Sequence, residues 1–183
     1  MVDFRTTGRY QILAEIDALV DVFNGAGVRS YLEIGSKFGG SLWRVGKSLP
    51  KGSRVISVDL GRNGPSLPAC IAQLKHDGYD ARLIAGDSTD PAIIAQAAKL
   101  GPYDACFIDA NHKKSYVESD WKHYGPMAKL VAFHDIGWGR VSETPNRIDV
   151  PVVWDVIKEQ YRHKEFLFDP SGNHNGIGVL WRE

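Results

Sequence analysis

Residues 31–41 read Tyr31-Leu32-Glu33-Ile34-Gly35-Ser36-Lys37-Phe38-Gly39-Gly40-Ser41. They join the apolar run of residues 28–34 to a glycine-rich turn, after which a helical pattern begins at Ser41. A strand, a tight turn and a helix N-terminus form a cradle for a ligand of nucleotide size, because helix N–H groups are unpaired and glycines let a ligand approach the backbone. The stretch therefore predicts a nucleotide-binding α/β unit.

The glycine spacing of this turn distinguishes between two kinds of nucleotide. The turn reads Glu-x-Gly-x-x-x-Gly-Gly from Glu33 onward, whereas a dinucleotide fingerprint reads Gly-x-Gly-x-x-Gly. An acid beside Gly35 would repel a pyrophosphate, but it suits a ligand that carries ammonium and sulfonium groups. The turn therefore favours S-adenosylmethionine (SAM) over NAD.

The composition is that of a soluble globular domain. The chain has 183 residues, 43% of them hydrophobic, and its 22 basic and 22 acidic residues give a formal charge of zero. This balance argues against a nucleic-acid or membrane partner and favours a small-molecule one. Residues 1–9 lack the apolar segment of a signal peptide, and Cys70 and Cys106 stand outside any metal-binding spacing, so we expect a single cytoplasmic domain over residues 1–183.

Apolar runs alternate with helical patterns along the chain. The runs predict strands at residues 28–34, 54–59, 81–85, 103–109, 130–134, 166–168 and 177–181. The helical patterns cover residues 9–24, 40–48, 67–77, 91–99, 113–124 and 152–161. Alternation of this kind predicts a doubly wound parallel sheet, and the last two strands are close enough to form an antiparallel hairpin.

Polar groups stand at the carboxyl ends of the first five strands, where an open parallel sheet binds its ligands. They are Glu33, Asp59, Asp87 with Ser88, Asp109, and His134 with Asp135. An acid in the position of Asp59 can accept both hydroxyls of a ribose. The pair Asp87-Ser88 can receive an adenine amino group or cap the following helix, and the sequence leaves both readings open.

Four motifs follow one another along the chain: Leu-Glu-Ile-Gly-Ser-x-x-Gly-Gly-Ser, Val-Asp-Leu-Gly, Gly-Asp-Ser and Phe-Ile-Asp-Ala-Asn-His. Their order resembles that of the class I SAM-dependent methyltransferases, and the resemblance covers roughly residues 28–182. Within that class the chain resembles the small O-methyltransferases related to catechol and macrolide-sugar methyltransferases, and Phe-His-Asp-Ile is similar to a bacterial subgroup. This resemblance implies a Rossmann-like seven-stranded sheet of order 3-2-1-4-5-7-6 with strand 7 antiparallel.

The resemblance also implies where SAM binds. The first turn would surround the methionine part, Asp59 would hold the ribose, and Asp87 and Ser88 would border the adenine. The full set of expected cofactor residues is Glu33, Gly35, Ser36, Phe38, Gly39, Ser41, Asp59, Leu60, Asp87, Ser88 and Asp109.

His112 is the candidate catalytic base. It lies three residues after Asp109, and its ordinary pKa lets it accept a proton near neutral pH. In the metal-dependent relatives a Lys or His base stands at this position of an Asp-x-x-Lys/His motif. We therefore expect methyl transfer from SAM to a hydroxyl of a small molecule, with His112 and Asp109 as catalytic residues.

The same relatives bind magnesium with an acid at the position of Asp109 and a pair of groups at those of His134 and Asp135. Here the pair begins with His134, a poor magnesium ligand. Asp109 and Asp135 could hold one Mg²⁺ with waters, or both could join His112 and His134 around a transition metal. Without a metal, His134 and Asp135 form a structural hydrogen-bonded pair.

Two segments with little motif content are expected to cover the site. Residues 1–27 form an N-terminal helical cover, and residues 137–151 form a substrate lid with Trp138 as a platform. An exposed helix or sheet edge could pair two chains into a homodimer. The alternatives to a methyltransferase are a SAM- or nucleoside-binding protein without transferase activity and a hydroxylase-like or NAD-dependent enzyme on a related fold.

Overall fold

The computed structural model describes residues 11–137, 148–168 and 175–182. Seven strands form one sheet: β1 (Ser30–Ile34), β2 (Arg54–Asp59), β3 (Asp80–Ala85), β4 (Tyr103–Ile108), β5 (Ala128–His134), β6 (Arg162–Phe166) and β7 (Ile177–Trp181). Six helices connect them: α1 (Leu13–Gly25), α2 (Gly40–Ser48), α3 (Ser66–His76), α4 (Pro91–Leu100), α5 (Lys114–Tyr124) and α6 (Val150–Ile157).

The strand order is β3-β2-β1-β4-β5-β7-β6. Strands β1 to β5 pair in parallel, and β7 runs antiparallel to both β5 and β6. This order and the orientation of strand 7 confirm the predicted fold. Because the first five strands are parallel, their carboxyl ends share one edge of the sheet, where the predicted site residues stand.

Both faces of the sheet are covered, as the continuous apolar strands require. On one face, α1, α2 and α3 contribute the buried side chains Leu19, Val45 and Leu74 to a core that includes Phe107. On the other face, the second core contains Trp154, which α6 packs onto Phe133 with ring centroids 5.7 Å apart. No helix in the described part of the chain is long and apolar enough to cross a membrane.

The predicted position of the sixth strand is wrong by four residues. The apolar run of residues 166–168 was expected to form it, but β6 covers Arg162–Phe166 and the helix before it ends at Ile157, followed by a short 3-10 turn. Strand β6 is the edge of the sheet, and its first three residues are exposed. An edge strand needs no apolar run, and charged side chains there block pairing with other sheets.

Helix α1 lies within the predicted N-terminal cover of residues 1–27, of which residues 1–10 lie outside the described part of the chain. Helix α1 packs on α2, and its buried Glu15 accepts hydrogen bonds from the backbone N–H groups of Phe168 (3.0 Å) and Gly176 (2.9 Å). The carboxylate thus ties α1 to the ends of β6 and β7. The predicted lid, with Trp138, lies largely in residues 138–147, outside the described residues.

The contact between β7 and α6 supports a test of the packing. A Cβ atom at Gly178 would lie 2.3 Å from Cζ2 of Trp154, so Gly178→Ala should lower the free energy of unfolding by about 1–3 kcal/mol in urea denaturation. Gly25→Ala is the matched control, because a Cβ there meets no atom within 4 Å. Equal unfolding free energies for the two variants would contradict the described packing.

Candidate functional site

A cavity of about 920 Å³ opens at the carboxyl ends of β1 to β5. Of the eleven residues predicted to bind the cofactor, nine line it: Gly35, Ser36, Phe38, Ser41, Asp59, Leu60, Asp87, Ser88 and Asp109. The predicted base His112 and the pair His134 and Asp135 line the same cavity. The other two predicted residues, Glu33 and Gly39, are buried behind its wall.

The turn after β1 requires glycine at position 35. Gly35 has a φ of 86°, and a Cβ atom there would lie 2.4 Å from the carbonyl oxygen of Asp109 and 2.5 Å from Cα of Ala110. One backbone bond fixes this approach, because the Asp109 N–H donates to the Ile34 carbonyl (2.8 Å). On the other side, the Gly35 N–H donates to the carbonyl of Val58 at the end of β2 (2.8 Å). The glycine therefore lets the ends of β1 and β4 meet at the floor of the cavity.

Glu33 does not contact the cavity, which changes the role expected for it. Its side chain is fully buried, one oxygen accepting from the Ser41 hydroxyl (2.7 Å) and the other from the Tyr31 hydroxyl. Burial raises the pKa of Glu33 to about 7, despite the opposing effect of these two hydrogen bonds. Its hydrogen-bond partner Ser41 does line the cavity and so links Glu33 to it.

Asp59 is held rigidly at the end of β2. One carboxylate oxygen accepts from the backbone N–H of Lys37 (2.8 Å) and the other from that of Gly61 (2.8 Å). These bonds tie the turn after β1 to the loop after β2, and they aim a carboxylate with free lone pairs at the cavity. This geometry suits the predicted contact with two vicinal hydroxyls.

The loop after β3 borders the far end of the cavity. Asp87 does not cap α4, because it accepts from the backbone N–H (2.9 Å) and hydroxyl (2.8 Å) of Thr89. The cap is Asp90, whose side chain accepts from the Ala92 N–H (2.8 Å), with Pro91 in the first turn. Of the two readings of Asp87 and Ser88, the cap is therefore excluded.

Two acids and two histidines form a cluster at the ends of β4 and β5. His134 Nδ1 lies 3.2 Å from Oδ1 of Asp109 and 3.1 Å from Oδ1 of Asp135. His112 Nδ1 lies 3.4 Å from Oδ2 of Asp135, and its Nε2 lies 3.7 Å from Oδ1 of Asp109. The amide of Gln11 donates to Oδ2 of Asp109 (2.7 Å), so all four carboxylate oxygens have a nitrogen partner.

The cluster shifts the protonation of its members. Burial opposes the ionisation of Asp109, but His134 and His112 hold its pKa well below the usual range. Burial likewise disfavours a charged His134, but Asp109 and Asp135 raise its pKa well above the ordinary value. Burial lowers the pKa of His112, but the combined effects of Asp109 and Asp135 outweigh it, so the pKa is raised.

The cluster is also the candidate metal site. Asp109, His134 and Asp135 each offer a ligand atom, and these atoms lie within 4.8 Å of one another. The set fits Mg²⁺ poorly, because Mg²⁺ prefers oxygen ligands and a nitrogen stands between the two carboxylates. A metal-bound histidine also usually donates its second N–H to an acceptor, and the buried Nε2 of His134 has no partner among the described residues. The metal stays a prediction.

Several cavity residues could not be found from sequence motifs. Gln11 comes from the segment before α1, Arg62 and Asn63 from the loop after β2, and Tyr116 from the first turn of α5. Of these, only Tyr116 is close in sequence to a predicted site residue, because it stands four residues after His112.

Comparisons with known proteins agree with this architecture. An O-methyltransferase from Bacillus cereus, solved in complex with SAH, superposes with a TM-score of 0.68 at 17% identity over 96% of this chain and 84% of that one. The O-methyltransferase TomG from Streptomyces achromogenes, solved in complex with SAM, superposes with a TM-score of 0.71 at 14% identity over 94% and 81% of the two chains. No curated protein sequence gave a significant match.

The sequence itself carries the family assignment. The family described as a methyltransferase domain matches residues 32–136, more than half of the 183 residues. The match begins in β1 and ends just beyond β5, so it contains the whole strand edge that builds the cavity. The resemblance found in the motifs is confirmed: this chain belongs to the methyltransferase domain family and has the fold of the class I SAM-dependent O-methyltransferases.

Proposed function

We propose that this enzyme transfers a methyl group from SAM to a hydroxyl of a small molecule, with His112 as the base. The observation that carries the proposal is one shared cavity: features suited to a nucleoside lie at one end, and a partly exposed histidine held by two carboxylates lies at the other. The SAM- and SAH-bound O-methyltransferases with the same fold support the choice of cofactor.

The chain offers each part of SAM a suitable surface. Asp59 would accept the ribose hydroxyls, and the loop containing Asp87 and Ser88 would border the adenine. The amino acid part would lie over Gly35 and Ser41, which both line the cavity. When bound, SAM supplies a methyl group already activated by its sulfonium centre.

His112 is placed to remove the proton from an acceptor hydroxyl. Its side chain is 35% exposed, and its ring is oriented by Asp135 and Asp109. Its carbonyl accepts from the Asp149 N–H (2.8 Å), while the Asp149 carboxylate accepts from the Lys114 N–H (3.0 Å). These bonds hold the loop that carries His112, so the ring meets the acceptor with little loss of conformational freedom.

The acceptor end of the cavity combines apolar and polar surfaces. Tyr116 and Ile148 contribute apolar area beside the His112 ring, and Asn111, Asn175 and Gln11 contribute amide groups. A small aromatic or sugar-like alcohol would match this mixture, since an apolar face and a few placed polar groups are what fix a small ligand. The predicted lid residues 138–147 lie outside the described part of the chain.

His112→Ala should reduce kcat by about 10²- to 10⁴-fold, the usual contribution of a general base. The base acts in its neutral form and its pKa is raised, so wild-type kcat/KM should increase as pH rises through a value above the ordinary 6.5. SAH production from SAM with a panel of phenols and sugar derivatives measures both quantities, and the variant should lack this pH dependence.

A histidine outside the cavity provides the control for this substitution. His76→Ala alters a side chain that is 83% exposed on the surface, and it should leave kcat unchanged. If His112→Ala keeps wild-type kcat and the same pH profile, His112 is not the base and positioning alone accounts for the reaction.

We also propose that the reaction does not require Mg²⁺, because His112, His134 and Gln11 already provide the partners of both cluster carboxylates. Treatment with EDTA followed by desalting should change kcat by less than about twofold, and added Mg²⁺ should not increase it. His134→Asp restores an oxygen ligand and is the informative variant, since it should gain Mg²⁺ binding. A tenfold loss in EDTA that Mg²⁺ reverses in the wild type would contradict the proposal.

A further inference from the structure

Asp120 is a buried acid without a visible structural reason. It lies on α5, its side chain is fully buried, and neither carboxylate oxygen has a hydrogen-bond partner among the described residues. Leaving a buried polar group unpaired costs on the order of 1–3 kcal/mol, and such groups are rare in folded proteins. The free-energy cost of burying this carboxyl group without a partner indicates that Asp120 has a functional role.

The position of Asp120 relates it to the nucleoside end of the cavity. Asp120 and Tyr124 are one turn apart on the buried face of α5. The Tyr124 hydroxyl donates to the Ser88 carbonyl (2.8 Å), and the Ser88 side chain is near enough to Asp120 to lower the acid's pKa. Ser88 lines the cavity, so one side of its loop faces the bound cofactor. Helix α5 supports the opposite side of the same loop.

The surroundings of Asp120 favour its neutral form. The groups that interact with it electrostatically are Asp87 on the same loop as Ser88, Cys106 on β4 and Tyr124 on its own helix; none is a cation. Burial, aided by the charge of Asp87, raises the pKa of Asp120 to about 7. A neutral carboxyl group can both donate and accept, whereas an ionised one only accepts.

We propose that Asp120 is a positioning residue for the adenine end of SAM: its carboxyl group pairs with the Ser88 hydroxyl and holds the loop of residues 86–89 against the bound nucleoside. The inference rests on the proposed SAM-dependent function. It accounts for the unpartnered carboxyl, because the Ser88 hydroxyl supplies the missing partner when the nucleoside is bound.

Calorimetric titration with SAH tests this inference, using the wild type, Asp120→Asn and Asp120→Leu at one pH. The amide keeps a donor and an acceptor, so Asp120→Asn should bind SAH within about threefold of the wild type. Asp120→Leu keeps the volume but loses both hydrogen-bonding functions, and its affinity should fall about tenfold.

Ser88→Ala provides a second route if Asp120→Leu does not fold, and it should weaken SAH binding about tenfold while the melting temperature stays close to that of the wild type. Asp120 would be merely structural if its variants and Ser88→Ala bound SAH as the wild type does. A wild-type protein that does not bind SAH would instead overturn the proposed function itself.

Discussion

The close approach of two backbone segments determines the geometry of the site. Gly35, at the end of β1, lies against the backbone of Asp109 and Ala110 at the end of β4, where even one additional carbon would meet an oxygen 2.4 Å away. This contact brings the turn that would receive SAM beside the acid that begins the catalytic loop. The parallel sheet supplies the common edge, and the glycine makes it narrow enough for donor and acceptor to share one cavity.

Several buried acids lie at or near this edge of the sheet, and they differ in whether a histidine is paired with them. Glu33 and Asp120 are isolated from cations, so burial raises the pKa of each to about 7 and both can take up a proton near neutral pH. Asp109 is paired with His112 and His134, which keep it ionised. The isolated acids therefore respond to pH, while the paired acid orients a base.

The fold was predictable because its strands are buried on both faces. Their apolar runs, and the polar group at each carboxyl end, fix the order of elements and most of the lining of the cavity. Strand β6 was misplaced because an edge strand such as Arg162–Phe166 has no apolar run to reveal it. Glu33 was expected in the cavity because a sequence shows which strand end an acid occupies, but not whether its side chain points at the ligand or behind it.

Long-range contacts were the other part that the sequence could not supply. Gln11 donates a hydrogen bond to Asp109, which is 98 positions away in the sequence. Asp120 lies near the loop of Ser88 because α5 packs there. No sequence motif predicts either contact. His112 was found because it lies three residues from Asp109 and shares its loop. Local spacing therefore identified His112 as the candidate base, whereas the residues that surround it required the three-dimensional structure.

The central claim is that the cavity binds SAM through a carboxylate at the end of β2. Calorimetric titration of the wild type and Asp59→Ala with SAH and with NAD⁺ tests it most directly. SAH should bind the wild type with a Kd on the order of micromolar and the variant at least tenfold more weakly, and NAD⁺ should bind neither. Tight binding of NAD⁺ without binding of SAH would contradict the account.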